Sequence, residues 1–389
     1  MTMSAKEYRS NNRVTLIKSG KKYFNRLIEL IHSSQSIIHI QTYIFQEDET
    51  GKKVSNSLIE AAKRGVKVFI LTDGYASKSI SKSFKKKLID AGIYFRFFRP
   101  LWSSNLFYFT RRLHHKIIVI DRQTGIVGGL NIADRYNDTD KSKAWLDFAV
   151  IIEGETAREL NQLCNNMWEG DSYETNGNII KSETSSMYVP ENEKSDIRIR
   201  LNDWIWHKNE ISATYIEMFR TAKKQVTVLC SYFIPGMFIR RQMLRAIKRG
   251  VKIIVVAAGP SDVWLAKNAE RWLYDWLIRN KIELYEYQKN VLHGKIAVCD
   301  GNLVTVGSYN INNLSAYASI ELNVDIKNEY FARKVEETIK QIIEKECIKI
   351  THQHHKQTKN IFKQFARWLS YQFIYVIFKL LTISFKRKI

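Results

Sequence analysis

The stretch "SLIEAAKRGVKVFILTDG", residues 57–74, reads as a helix that ends at Lys-Arg-Gly and is followed at once by a β-branched strand. The glycine suits the left-handed position that closes a helix, and the basic residues before it suit the negative end of the helix dipole. The chain writes the same phrase again as "QMLRAIKRGVKIIVVAAG", residues 242–259. An apolar strand precedes each copy, "SIIHIQTYIF" (36–45) and "QVTVLCSYFI" (225–234). Strand, helix, strand is the βαβ crossover, so each half predicts an α/β domain with a mostly parallel sheet flanked by helices.

A second phrase is also duplicated. "LHHKIIVIDRQTGIVGGLN" (113–131) has its counterpart in "LHGKIAVCDGNLVTVGSYN" (292–310). His114 stands 50 residues after Arg64, and His293 stands 44 after Arg249. A repeat of about 180 residues is too long for a solenoid and fits two similar domains. The 389-residue chain has room for both, and an apolar fraction of 45% excludes a largely disordered protein. Between the copies, "SYETNGNIIKSETSSMYVPENEKSD" is rich in Ser, Asn, Glu and Thr and lacks periodicity. The expected division is therefore a first domain at 1–171, a linker at 172–196, a second domain at 197–330 and a tail at 331–389.

On a strand, alternate residues share a face, so His114 and Lys116 should point one way, as should His293 and Lys295. His115 faces away. Asp121 and Asp300 are each seven residues beyond their histidine, an odd step that takes them off that face. "CDGN" signals a hairpin turn and "IDRQTG" a looser one, which makes the two aspartates turn residues. The return strands "IVGGLN" and "LVTVGSYN" bring Asn131 and Asn310 back beside the His-Lys pairs. Gly128, Gly129, Gly307 and Ser308 are small enough to admit a ligand close to the backbone. Lysine supplies charge, asparagine a neutral donor, and histidine a nucleophile or proton carrier, a set that suits a phosphate. A working imidazole also needs an acceptor on its other nitrogen. Asp147, 33 residues after His114, and Glu321, 28 after His293, are the candidates.

His-x-Lys-x-x-x-x-Asp followed by Gly-Gly/Ser-x-Asn, present twice, resembles the repeated signature of the phospholipase D superfamily. His114, Lys116, Asp121, Gly128, Gly129 and Asn131 match one copy; His293, Lys295, Asp300, Gly307, Ser308 and Asn310 match the other. "YIFQEDETG", "GGLNIADRY", "WLDFAVIIEG", "SYFIP" and "GSYNINNLSAYASIELN" are similar to the bacterial cardiolipin synthase branch. The resemblance spans roughly residues 30–330. It implies two tandem domains with one active site at their interface, and catalysis by His114, Lys116, Asp121, His293, Lys295 and Asp300. It further implies phosphate binding by Asn131, Asn310, Gly129 and Ser308, and no metal or other cofactor. One histidine, His114 by analogy, would form a phosphohistidine while His293 handles protons. The implied activity is phosphatidyl transfer between two phospholipids, with phosphatidylglycerol as donor and acceptor. A phospholipase D that uses water and a nuclease of the same superfamily are the alternatives.

Charge and apolar patterning bear on the partner. Lys+Arg 61 against Asp+Glu 39 gives +22, which calls for a polyanion, either nucleic acid or anionic lipid. Two segments favour lipid. "PLWSSNLFYFTRRLHH" sets Trp102, Leu106, Phe107, Tyr108 and Phe109 just before the first motif. From residue 351 onward the chain has eight Lys or Arg, no acidic residue, and an apolar run, Trp368–Phe385, interrupted by Gln372 and Lys379. That run suits a helix lying in an anionic headgroup layer, with packing on the protein body as the alternative. Trp272 and Trp276, at helical spacing, read as core. Cys164, Cys230, Cys299 and Cys347 show no metal-ligand spacing and read as reduced thiols. The N-terminal segment lacks the apolar core of a signal peptide. Together these features predict a peripheral protein on the cytoplasmic side of the cytoplasmic membrane, bound to anionic phospholipid rather than nucleic acid.

Overall fold

The computed structural model describes residues 7–100, 111–170, 189–312, 315–316, 319–353 and 360–386. The aromatic segment Trp102–Phe109 and most of the expected linker lie outside the described residues. The chain forms two compact units. The first takes residues 1–200 together with 306–308 and 320–328; the second takes 201–305, 309–319 and 329–389. The first unit thus includes two short segments that follow the second His-Lys pair, His293 and Lys295, in sequence.

In the first unit the strands are β1 (Asn12–Lys18), β2 (Ile37–Thr42), β3 (Lys67–Asp73), β4 (Tyr94–Phe98), β5 (Arg112–Leu113), β6 (Ile117–Ile120), β7 (Thr124–Gly128) and β8 (Phe148–Gly154). The helices are α1 (Lys21–Ser33), α2 (Glu49–Lys63), α3 (Lys82–Asp90) and α4 (Glu155–Gly170). The sheet order is β1-β8-β7-β6-β2-β3-β4. The pairs β2·β3 and β3·β4 are parallel, as the crossover through α2 predicts. The pairs β2·β6, β6·β7, β7·β8 and β1·β8 are antiparallel. The architecture is α/β, but the sheet is mixed rather than mostly parallel. The physical reason is the motif itself: its turn is too short for a crossover, so it can only fold back as a hairpin.

The Lys-Arg-Gly phrase closes α2 as its residue types require. Gly65 takes φ +92°, and the N–H groups of Gly65 and Val66 reach back to the carbonyls of Ala62 and Ala61. Arg64 donates through Nη2 to the Ile31 carbonyl at the end of α1. The face of α2 carrying Val54, Leu58 and Ala61 is fully buried against Ile38, Ile40, Val68 and Ile70 of the sheet. Each such Val, Leu or Ile stabilises the fold by about 1.5–3 kcal/mol.

The second unit repeats the plan. After β9 (Asp196–Asp203) and β10 (Lys208–Asn209) come β11 (Gln225–Cys230), β12 (Lys252–Ala258), β13 (Glu283–Tyr287) and β14 (Lys295–Cys299), then β15 (Leu303–Gly307), β16 (Ser319–Lys327) and β17 (Cys347–Lys349); the helices are α5 (Glu210–Thr221), α6 (Met237–Lys248), α7 (Trp264–Trp272) and α8 (Tyr274–Arg279). Strands β11, β12 and β13 run parallel, while β14 and β17 flank them antiparallel. Gly250 closes α6 at φ +87°, and Arg249 donates to the Phe219 carbonyl at the end of α5. Trp272 and Trp276 are partly buried against apolar clusters, as expected of core residues. All four cysteines are free thiols. Among the described residues no helix is long and apolar enough to cross a membrane.

Candidate active site

His114 lies just after β5, and Lys116 just before β6. The expected single strand is therefore interrupted at the motif. Short tethers fix the break. The Leu113 N–H donates to buried Asp73 at 3.0 Å, and the His114 N–H donates to the Ile320 carbonyl at 3.0 Å. Lys116 curls back so that its ammonium donates to the His114 carbonyl. The Tyr43 ring lies 4.9 Å from the His114 ring, and the Lys116 ammonium sits 5.3 Å from the centre of the same Tyr43 ring. The imidazole is thus held on two sides without losing all access to solvent, since 19% of the His114 side chain remains exposed.

The acceptor on the His114 ring is Glu321. His114 Nδ1 and Glu321 Oε2 are 2.8 Å apart, and Glu321 has no exposed surface. The Ser308 hydroxyl donates to the same carboxylate oxygen. Burial alone would raise the Glu321 carboxyl, but His114, Lys116 and Ser308 together hold it below the usual carboxylate range. A charged carboxylate on Nδ1 keeps the proton there, so the lone pair of the neutral ring is on Nε2. This pairing differs from the sequence expectation. Glu321 was matched to His293 and Asp147 to His114, on proximity in sequence. Instead, strand Ser319–Lys327 lies beside β5 and brings Glu321 to the first motif. Asp147 accepts from the Phe148 N–H at 2.7 Å, and its oxygens lie where a Cβ on Gly129 would intrude, at 2.3 Å.

In the second unit His293 precedes β14 and Lys295 opens it. The Lys295 ammonium donates to the His293 carbonyl, lies 3.2 Å from His293 Nδ1 and reaches the Ser231 hydroxyl at 3.1 Å. Both histidines and both lysines are therefore arranged by the same local device, a lysine folded back on the carbonyl two residues earlier.

The remaining expected site residues divide. Asp121 and Asp300 serve the fold. Asp121 accepts backbone N–H groups from Gln35, Ser36 and Ile37, and Asp300 accepts those of Lys223, Lys224 and Gln225. Each sits at φ +52° in its hairpin turn and ties that turn to the start of the neighbouring strand. Burial acts to raise both carboxyls, and the N–H groups outweigh it and hold them below the usual range. Asn131 is engaged on both sides of its amide, accepting from the Ile44 N–H at 2.9 Å and donating to the Tyr136 hydroxyl at 2.8 Å. Asn310 accepts from the Ser231 hydroxyl at 2.7 Å. Ser308 is committed to Glu321, and Gly129 makes room for Asp147. His115 turns away as expected, bound to Gln41 at 2.9 Å; burial, with Lys116 adding to it, pushes the ring down to about 3 and keeps it neutral.

Sequence reasoning missed Tyr43 and Ser231. A signal exists in the repeat: Thr42-Tyr43 and Ser231-Tyr232 occupy matching places at the ends of β2 and β11, and the Thr42 and Ser231 hydroxyls donate to the asparagine of their own motif at 3.4 Å and 2.7 Å.

A family described as "Cardiolipin synthase, PLD-like domain" matches residues 27–168 and 215–343. The chain is 31% identical over 355 residues to cardiolipin synthase B of Salmonella typhimurium, covering 87% of this chain and 82% of that one. It is 31% identical over 315 residues to the cardiolipin synthase of a Geobacillus strain, covering 79% of this chain and 61% of that relative. Among solved structures, the phosphatidylserine synthase of Haemophilus influenzae superposes with a TM-score of 0.75 at 15% identity, over 96% of each chain, a likeness of fold.

Proposed function

The chain belongs to the cardiolipin synthase family of phospholipase D-like proteins, and from that premise we propose how its two motifs divide the chemistry. It is a phosphatidyltransferase, a cardiolipin synthase that acts on phospholipids. In the proposed cycle the Nε2 of His114 attacks the phosphorus of one phosphatidylglycerol. The bond from phosphorus to the glycerol headgroup oxygen breaks, and His293 gives that oxygen a proton. The hydroxyl of a second phosphatidylglycerol then attacks the phosphohistidine, its proton passes to His293, and the P–N bond breaks to leave cardiolipin. Lys116 and Lys295 offset the charge that gathers on the phosphoryl oxygens, and the amide of Asn310 is a further donor to them.

The single observation that carries this assignment of roles is the carboxylate on Nδ1 of His114. His114 becomes cationic when Nε2 bonds phosphorus, and Glu321 stabilises that cation. At the second motif the Lys295 ammonium lies 3.2 Å from His293 Nδ1. A buried carboxylate on Nδ1 supports His114 as the nucleophile. Glu321 and Ser308 act as positioning residues, and Asp121, Asp300, Asn131 and Asp147 as supports of the loops that carry the motif.

The proposal includes a peripheral position on the cytoplasmic side of the cytoplasmic membrane, supported by the +22 charge and the absence of Asp and Glu from residues 351–389. It also includes the division 1–171, 172–196, 197–330 and 331–389, for which proteolysis should cut first within 172–196. The test of function is product analysis with phosphatidylglycerol vesicles and, separately, with DNA. Cardiolipin and glycerol are expected, with none from His114→Ala. Phosphatidic acid would make water the acceptor, and cut DNA with intact lipid would make the protein a nuclease. Acid-quenched His293→Ala should accumulate a labelled phosphoenzyme that His114→Ala lacks; the reverse pattern would exchange the two roles.

A further inference from the structure

The C-terminal helix Ile361–Lys386 belongs to the second unit and lies along α7. Its burial is the reverse of a helix facing water. Arg367 and Ser370 are buried, while Tyr371 and Ile374 pack with Trp272 on Ile234, Ala269 and Leu273. Arg240 of α6 donates to the Tyr371 hydroxyl at 3.4 Å. The opposite side is apolar and exposed: Ile361 81%, Phe362 81%, Phe365 60%, Leu369 52%, Phe373 53% and Val376 49%. At about 100° per residue these six fall within roughly 120° of arc, and Gln364, Arg367, Ser370 and Tyr371 fall on the other side. An amphipathic helix on a protein in water presents the opposite arrangement, with its apolar stripe turned inward. Burying the polar stripe while leaving this many large apolar side chains outside is favourable only if the outer face leaves water.

We infer that this outer face is the bilayer-contacting surface of the protein, lying flat in the headgroup layer of an anionic membrane with the helix fixed to the body by its polar stripe. The inference rests on the lipid-transfer reading and adds to it which surface meets the lipid and how it is held. Among the described residues no helix qualifies as a membrane span, and an exposed apolar face on a docked helix suits an in-plane position. Residues 351–389 carry eight Lys or Arg and no Asp or Glu, so the surroundings of the face complement anionic lipid. The same charge opposes pairing of this face with a second copy, because like charge would meet like. Trp264, which opens α7, and Phe238, in the first turn of α6, are exposed at 68% and 57%, and both suit the interfacial layer. Anchoring by a docked helix differs from tethering by a loose tail: it holds the second unit at one depth.

The test compares the full chain with Phe365→Ser/Phe373→Ser, substitutions at exposed positions that leave the docked stripe intact. Flotation with vesicles containing phosphatidylglycerol should show binding weakened by about tenfold or more per phenylalanine, consistent with the transfer of a large aromatic side chain. Cardiolipin formation in detergent micelles, where no bilayer must be reached, should be unchanged. Undiminished vesicle binding would overturn the inference. So would a wild-type dimer that this variant makes monomeric while vesicle binding stays intact, since a second copy would then be the occupant. If neither protein makes cardiolipin in micelles but the variant still loses vesicle binding, the catalytic reading fails and the surface stands.

Discussion

Replacing Glu321 by glutamine tests the pairing that sequence proximity did not reveal. The change keeps the shape of a fully buried side chain and removes its charge. In the resting enzyme a charge-assisted hydrogen bond from His114 becomes a neutral one, a difference of about 1–2 kcal/mol. In the transition state the cost is larger, because His114 carries positive charge. Two unit charges about 4 Å apart, at the effective dielectric of roughly 20 that suits protein sites, interact by about 4 kcal/mol. At about 1.4 kcal/mol per tenfold in rate, a net loss of about 2–4 kcal/mol lowers kcat by roughly 30- to 1000-fold. The KM for phosphatidylglycerol should change little, since the carboxylate contacts the imidazole and not the lipid. Single-turnover measurement of phosphoenzyme formation should slow in the same proportion, and a thermal melt checks that the fold persists. A variant with kcat within threefold of the parent would refute the role given to Glu321, and with it the support that Glu321 lends to His114 as the nucleophile.

Ser308→Ala removes the hydroxyl that donates to Glu321; kcat should fall by about three- to tenfold with KM unchanged, whereas a raised KM would return Ser308 to the substrate phosphate. Asp121→Ala and Asp300→Ala each strip three strand N–H groups of their acceptor and should lower stability by about 2–4 kcal/mol in urea unfolding, with activity per folded molecule retained; an unchanged unfolding midpoint with lost turnover would make them catalytic. Because their folded carboxyls lie below the usual range, their contribution is complete at neutral pH and fades as pH falls below about 4 through the depressed values, so the gap in stability between pH 7 and pH 3 should narrow in Asp121→Asn. Gly129→Ala places a Cβ 2.3 Å from Asp147 Oδ1 and should cost about 1–3 kcal/mol, read as a lowered Tm.

Much of the fold was legible because local rules govern it. The Lys-Arg-Gly stops, the crossover helices and the Asp-containing turns each depend on a few neighbouring residues, and the duplication let every reading be made twice. Two local readings failed for a local reason. His114, Lys116 and His293 lie outside regular strand, where Lys116 and Lys295 bend back onto the histidine carbonyls. The sheets are mixed because the motif's own hairpin reverses direction where a crossover would have kept it.

What the sequence by itself determined was the candidate set: two histidines and two lysines at fixed spacing, with small residues after each, in a basic two-part α/β chain. What only the tertiary structure decided was their allegiance. Glu321 is 207 residues from His114 and 28 from His293, yet it pairs with His114, because strand Ser319–Lys327 is built beside β5. Periodicity shows which face a residue shares but not which strand will lie alongside, since strand pairing is set by burial summed over a whole unit. The outward apolar face of the C-terminal helix belongs to the same class of fact. The sequence shows an apolar, basic helix, and only packing against α7 determines which of its sides is left exposed.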